Sequence, residues 1–150
     1  MRTVIQRVKQ ASVTINGRVK SEIRQGLLIL LGICDDDSEE DIDWLVRKIK
    51  GLRVFDDENG VMNLAVGDID GEIMVISQFT LYASYKKGNR PSWIKAAKPE
   101  ISTPLYNKFC EKISEATGKE AATGEFGAYM EVALNNDGPV TICMDTKNKE

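Results

Sequence analysis

The feature that most constrains the fold is an uninterrupted apolar run early in the chain. Residues 27–33 read Leu-Leu-Ile-Leu-Leu-Gly-Ile, with Gln25-Gly26 on one side and a dense acidic stretch on the other. The run lacks the polar alternation of a strand that has one face in solvent. A short apolar run bounded in this way is typical of a strand covered on both faces. The rest of the chain must therefore cover two sides of a central strand.

Two extended segments precede this strand and are joined by a strong hairpin signal. Residues 3–9 alternate and lead into residues 11–15, and residues 18–24 follow after Asn16-Gly17. Asn-Gly between two extended runs favours a tight turn, because both residues accept positive φ. The first quarter of the chain is therefore predicted to be a hairpin followed by the central strand.

Two amphipathic helices are predicted. The first begins after Ser38, which can cap it with Asp41 three residues on, and it ends near Gly51. Its apolar side chains recur at helical spacing, at Ile42, Leu45, Val46 and Ile49. The second runs from Thr103-Pro104, an N-cap followed by a first-turn proline, to a closing glycine at position 118.

The other segments predict further strands and one long loop. Strands are expected at residues 53–55, 61–66, 72–77, 121–125, 129–134 and 140–144, and a loop at residues 84–100. At 150 residues the chain fits one domain. We therefore predict a single α+β domain with a strongly curved, largely antiparallel, barrel-like sheet of about eight strands and two main helices packed on one side.

Composition excludes several kinds of chemistry. The chain contains no histidine, so it has no Ser-His-Asp triad and no HExxH metal site. Neither GxxxxGK[ST] nor GxGxxG occurs. The three cysteines lack CxxC spacing, and we expect buried reduced thiols rather than a zinc site. No cofactor and no metal are therefore expected.

No signal peptide is visible and the longest apolar run is too short to span a bilayer, so we expect a cytoplasmic protein without a membrane partner.

One strand end carries several groups that can act on a substrate. Ser77-Gln78-Phe79-Thr80 follows a buried strand and offers two hydroxyls, an amide and backbone N–H groups that can hold an oxyanion. Thr80 can act as a nucleophile only beside a base, and the neighbouring sequence has none. The same residues also fit a purely structural role in satisfying backbone groups.

A basic loop and a Gly-Pro step complete the candidate features. Residues 84–98 hold five basic side chains and no acidic one, which suits either a phosphate-binding loop or a solvated surface. Gly138-Pro139 stands between two predicted strands and would ordinarily be a plain turn, since only about 5–6% of X-Pro bonds in folded proteins are cis.

Taken together, these segments resemble the D-aminoacyl-tRNA deacylase family, also called D-tyrosyl-tRNA deacylases. The likeness rests on Ser-Gln-Phe-Thr-Leu at 77–81, the basic loop at 86–92, Phe-Gly-Ala-Tyr-Met at 126–130 and Asn-Asp-Gly-Pro-Val-Thr at 136–141. It extends over the whole chain from residue 2, and Trp93 stands where the family is expected to have Phe. The resemblance implies a homodimer that hydrolyses the ester of a D-amino acid, and of mischarged glycine, on the 3′ end of tRNA.

The resemblance also implies roles for individual residues. Ser77, Gln78, Phe79 and Thr80 would form the catalytic pocket. Gly138 and Pro139, as a cis dipeptide, would enter the partner subunit's pocket and exclude L-amino acids, with Arg7 as a brace. Further binding roles fall to Phe126 and Met130 for the terminal adenosine, and to Lys86, Lys87 and Arg90 for tRNA.

Three functional hypotheses stay open from the sequence. The favoured one is an ester hydrolase in which the 2′-hydroxyl of the terminal adenosine assists, because a pocket that positions an activated ester needs no histidine. The others are a tRNA-end binding domain without catalysis and a dimeric interaction module. DNA is not an expected partner.

Overall fold

The apolar run lies at the centre of the main sheet. In the computed structural model, which describes residues 1–150, it forms a strand in which every residue except Leu30 is buried. The strands are β1 (Arg2–Ile15), β2 (Arg18–Ile23), β3 (Gly26–Gly32), β4 (Phe55–Asp56), β5 (Met62–Leu64), β6 (Glu72–Ser77), β7 (Ala122–Thr123) and β8 (Glu131–Asp145). The helices are α1 (Glu39–Lys50) and α2 (Pro99–Thr117).

The main sheet is mixed and almost closes on itself. Its strand order is β2-β1-β3-β6-β7, and β8 pairs with β1. β1 is antiparallel to β2, β3 and β8, whereas β3–β6 and β6–β7 are parallel. Each parallel pair is joined by a segment that contains a helix, as parallel strands require. The Ser21 hydroxyl on β2 donates to the Thr123 carbonyl on β7 at 2.7 Å. The barrel-like α+β domain with a largely antiparallel sheet is thus confirmed, and the two parallel pairs make the sheet mixed rather than purely antiparallel.

Both helices cover one face of the sheet, as predicted. A large apolar cluster joins α1 and α2 to the side chains of Leu27, Ile29 and Leu31 on β3. A smaller cluster lies on the other face and includes Leu28. The central strand is therefore covered on both sides, which explains why its sequence lacks polar alternation.

The helix ends follow local capping rules, with one correction. Ser38 and Asp41 form the predicted capping box of α1. Gly118 ends α2 with φ +73. The predicted start of α2 at Thr103 was wrong, because the helix begins at Pro99, where proline occupies the first turn. The N–H of Ser102 already donates to the carbonyl of the N-cap residue Lys98 at 2.9 Å.

The C-terminal strands also differ from the prediction. The segments expected at 129–134 and 140–144 form one continuous strand, β8, and the segment expected at 121–125 is reduced to β7. Val8 pairs with Asn136 and Gln6 with Thr141, so residues 137–140 bulge out opposite Arg7. The Gly-Pro step lies inside this bulge and does not form a turn between two strands, because β1 pairs with β8 on both sides of it.

The N-terminal amino group and the three cysteines differ in burial. The α-amino group of Met1 is buried and donates to Asp37 and to the Thr146 hydroxyl. Cys34 and Cys110 are half-buried, but Cys143 is exposed, contrary to expectation, because alternate residues of β8 face solvent. No group of three or more acidic or cysteine side chains is arranged to hold a metal ion, and neither helix is long and apolar enough to cross a membrane.

Candidate active site

The candidate site is built where β6 leaves the sheet. The N–H of Gln78 makes the last bond of the ladder, to the Leu31 carbonyl at 2.8 Å. The chain then coils into a single 3₁₀ turn, Phe79–Tyr82, which we call the strand-end turn. Bonds within it begin with the N–H of Leu81, which donates to the Gln78 carbonyl at 3.3 Å. The turn therefore leaves the N–H groups of Phe79 and Thr80 free of partners within it.

The strand-end turn is held close to the sheet from two sides. A Cβ on Gly32 would lie 3.0 Å from the Gln78 carbonyl oxygen and 3.0 Å from the Leu81 Cβ, so only glycine lets the turn pack this tightly on β3. On the outside, the Arg2 guanidinium donates to the Leu81 carbonyl at 3.2 Å and lies 4.7 Å from the centre of the Tyr82 ring. The turn is thus placed by contacts distant in sequence.

A cavity of about 400 Å³ opens beside this turn. Ser77, Gln78 and Phe79 form one wall. The other walls come from the C-terminal end of β3, the loop before α2, the first turn of α2 and the segment after β7. The remaining lining residues are Leu31, Ile33, Trp93, Ala96, Ala97, Lys98, Pro99, Ser102, Phe126 and Gly127. Lys98 is the only charged side chain among them, so the cavity contains neither a carboxylate nor a thiol.

Thr80 belongs to the turn but does not line the cavity. Its hydroxyl accepts a hydrogen bond from the side-chain amide of Gln78 and has no other side-chain partner. Since no basic group contacts this hydroxyl, nothing in the chain activates it as a nucleophile. Ser77 and Gln78 are half-buried and Phe79 is exposed, so the turn presents polar groups and an aromatic ring at the cavity edge.

The structure separates Phe126 from Met130. Phe126 lines the cavity and lies against Tyr106, with ring centroids 5.8 Å apart. Burial raises the pKa of Tyr106, and its hydroxyl donates to the Val75 carbonyl at 2.8 Å. Met130 packs on the smaller apolar cluster, and its sulfur occupies the space beside Gly124, 2.3 Å from where a Cβ would lie. Met130 is therefore not a cavity residue in this chain.

Arg7 braces the bulge of β8. Its side chain is buried and its Nε donates to the Asp137 carbonyl at 2.8 Å, while Nη1 donates to the Val54 carbonyl at 2.6 Å. Asp56 and the Asp137 carboxylate supply charge partners at 3.2 and 3.5 Å. A buried guanidinium thus connects β1 to the bulge of β8 and, through Asp56, to β4.

The bulge lies outside its own chain's cavity. The Gly138–Pro139 peptide bond is cis, and Gly138 has φ +146. Both residues are exposed, and neither lines the cavity. The Asn136 side chain holds the other end of the bulge, accepting from the Val140 N–H at 2.8 Å.

The basic loop is an anchored protrusion. Ser84 and Ser92 pair through two backbone hydrogen bonds of 2.8 Å each, so the seven residues between them form a closed tip. Lys86, Lys87 and Arg90 are exposed on this tip, and none of them forms an ion pair.

Sequence reasoning missed the wall formed by the first turn of α2. Lys98, Pro99 and Ser102 line the cavity, although Lys98 and Pro99 were assigned to the loop at 84–100 and Ser102 lay before the predicted start of the helix. Proline after Lys98 was the available signal, because proline favours the first helical position. Trp93 was noted only as an aromatic substitution, and its position in the cavity wall depends on the fold.

Comparisons with known proteins agree on one family. A family model described as D-Tyr-tRNA(Tyr) deacylase matches residues 4–145. The chain is 68% identical over its full length to a D-aminoacyl-tRNA deacylase of Bacteroides fragilis, and 61% identical to that of Porphyromonas gingivalis, with each pair covered completely.

Solved structures share the fold. One described as a c-Myc DNA Unwinding Element Binding Protein is 42% identical, with a TM-score of 0.90 over 97% of this chain and 98% of that chain. Another, described as a probable eukaryotic D-amino acid tRNA deacylase, is 16% identical, with a TM-score of 0.81 over 95% of this chain and 97% of that one. Because the family model covers nearly the whole chain and the bacterial relatives match it from end to end, the chain belongs to the D-Tyr-tRNA(Tyr) deacylase family.

Proposed function

We propose that this protein hydrolyses the ester between a D-amino acid and the 3′-terminal adenosine of tRNA, releasing free tRNA. The observation that carries the proposal is the cavity at the strand-end turn, in which Ser77, Gln78 and Phe79 stand in a nearly uncharged pocket of about 400 Å³. The full-length relatives of the chain bear the name of this activity. Phe126 supplies an aromatic wall for the adenosine. Met130 packs beside Gly124, in the same segment of the chain.

The reaction uses groups other than a side-chain base. The free N–H groups of Phe79 and Thr80 are donors for the oxyanion that forms when water attacks the ester carbonyl. The adenosine 2′-hydroxyl lies next to the ester and assists the attack, while the cavity supplies position and excludes bulk water. This assignment fits a pocket whose only charged side chain is Lys98.

Chirality is selected by a second copy of the chain. Gly138 and Pro139 lie exposed and outside their own cavity, and Arg7 and Asn136 hold the bulge that presents them. In the proposed homodimer this bulge enters the partner's cavity, where its carbonyl oxygens leave no room for an L side chain. Glycine, which has no side chain to exclude, is also removed from tRNA.

The surroundings fit a tRNA substrate in the cytoplasm. Lys86, Lys87 and Arg90 extend from the exposed tip that precedes the cavity residue Trp93 in the chain, and in this proposal they bind phosphates near the 3′ end. A chain with a net charge of −3 overall and a local basic loop favours one structured RNA end over indiscriminate binding.

Incubation of the protein with D-Tyr-tRNA and L-Tyr-tRNA tests the proposed function. We expect rapid release of D-tyrosine and a rate for the L-ester that stays near the uncatalysed one, with glycyl-tRNA hydrolysed as well. The loss of acid-precipitable radiolabel from each aminoacyl-tRNA over time measures all three hydrolysis rates. Hydrolysis of none would leave only a binding or interaction role, and equal hydrolysis of both tyrosyl esters would contradict exclusion by the bulge.

A second experiment separates the two possible attacking groups. We expect Thr80→Ala to keep activity within about tenfold of the parent, because no base activates the hydroxyl, whereas a substrate whose terminal adenosine lacks the 2′-hydroxyl should lose about 100-fold or more. Single-turnover rates on both substrates give the comparison. A Thr80→Ala protein without activity, together with a normal rate on the deoxy substrate, would establish attack by threonine instead.

A further inference from the structure

An aromatic corner at the mouth of the cavity has no role in the proposed chemistry. Trp93 packs edge-to-face on Phe79, with ring centroids 5.5 Å apart and an interplanar angle of 83°. Both rings keep much of their surface in solvent, 40% for Trp93 and 55% for Phe79. The contact fixes the indole while leaving part of it accessible to a ligand.

The backbone around Trp93 is anchored. Ser92, the preceding residue, is bonded to Ser84 in both directions. After Trp93, the Ala96 N–H donates to the Trp93 carbonyl at 2.9 Å, and the Ala97 N–H donates to the Ile33 carbonyl at 2.9 Å. A ligand that stacks on this indole therefore meets a side chain already in place, which lowers the entropy lost on binding.

Basic residues flank Trp93 on both sides in the sequence. All five basic side chains between residues 84 and 98 are exposed, and none of them is in an ion pair: Lys86, Lys87, Arg90, Lys95 and Lys98. The same stretch contains no acidic residue, although the whole chain carries a net charge of −3. Unpaired cations beside an accessible aromatic ring are the combination with which proteins bind single-stranded nucleic acid, through phosphates and stacked bases.

We propose that Trp93 is the stacking platform for the unpaired nucleobase immediately before the esterified adenosine, and that the neighbouring cations hold the phosphates of that strand. The inference rests on the proposed function, because the adenosine must occupy the cavity for the preceding nucleotide to reach its mouth. Trp93 stands at that mouth beside Phe79. It is thus a binding residue for the tRNA end rather than for the amino acid.

The test compares substrates with and without the upstream nucleotides. Stacking of one base predicts that Trp93→Ala lowers kcat/KM for D-Tyr-tRNA by about 10-fold or more beyond any loss on 3′-D-tyrosyladenosine. Trp93→Phe should retain most of the activity on D-Tyr-tRNA, because phenylalanine still stacks. The matched control is Ile94→Ala, which removes an adjacent side chain that is 84% exposed and should leave both rates unchanged. Equal losses on the two substrates in Trp93→Ala would overturn the proposal.

A fluorescence measurement reads the contact without turnover. In a Trp44→Phe protein, Trp93 is the only tryptophan, and a tetranucleotide with the tRNA 3′-terminal sequence should quench it. Absence of quenching in a protein that hydrolyses D-Tyr-tRNA would overturn the platform while the proposed function stands. Quenching in a protein that hydrolyses no aminoacyl-tRNA would support the platform and overturn the proposed function.

Discussion

Replacing Gly138 by alanine is expected to reduce hydrolysis of D-Tyr-tRNA by about 100-fold or more while the protein stays folded. The residue has φ +146, a region that L side chains rarely adopt, and a Cβ would lie 2.7 Å from the backbone nitrogen of Val140. The bulge must shift to relieve this contact. A shift of about 1 Å in a group that positions substrate is enough for such a loss.

Gly60→Ala is the matched control for this substitution. Gly60 also has positive φ, +72, but a Cβ there meets nothing within 4 Å. Both variants should lose about 1 kcal/mol of stability from backbone strain, measured by thermal unfolding, and only Gly138→Ala should lose activity. Full activity in Gly138→Ala would contradict the role proposed for the bulge.

Mixing two inactive variants tests whether the bulge acts in the partner's cavity. Gly138→Ala and Gln78→Ala chains are unfolded and refolded together. Each mixed dimer then has one site with an unchanged cavity and an unchanged bulge, so the mixture should recover about a quarter of parental activity. No recovery would show that cavity and bulge act within one chain, provided that size-exclusion chromatography of differently tagged chains confirms mixed dimers.

The largest effect on stability is expected for Gly26→Ala. A Cβ at this position would lie 1.8 Å from the carbonyl oxygen of Glu72, its partner on β6. Since this is backbone and not the flexible end of a side chain, β3 and β6 must separate at their first pair. We expect a loss of about 3 kcal/mol in the free energy of unfolding, measured by urea denaturation at one protein concentration.

Gly67→Ala provides the comparison for this loss. Gly67 has no neighbour within 4 Å of an added Cβ and no positive φ. Its substitution should change stability by less than about 0.5 kcal/mol. A Gly26→Ala protein with the urea midpoint of Gly67→Ala would show that the parallel pair tolerates a side chain there, contrary to the packing described above.

Features that depend on a few neighbouring residues were predictable from sequence. Asn16 and Gly17 adopt φ +51 and +73 and turn the hairpin as expected. Ser38 and Asp41 start α1. In each case the stabilising contacts lie within four residues, so the pattern and the structure have the same physical cause.

Features that depend on contacts with residues distant in sequence were not predictable in this way. Residues 131–145 form one strand, because β1 supplies partners on both sides of the bulge. Arg7 was implicated only through family resemblance. Its contacts with Val54 and Asp137 are 47 and 130 residues away in sequence, beyond the reach of any local pattern.

The candidate site shows the same difference between local and long-range determinants. By itself, the sequence determined the chemistry available: no histidine, polar groups at the end of β6, a basic loop and a Gly-Pro step. Only the tertiary structure decided which of these meet. It placed Ser77, Gln78, Phe126 and Trp93 around one cavity, packed Met130 against the smaller apolar cluster and left Gly138 exposed outside that cavity. The physical reason is that residue type sets what a group can do, whereas proximity between distant segments is set by strand pairing and packing of the whole chain.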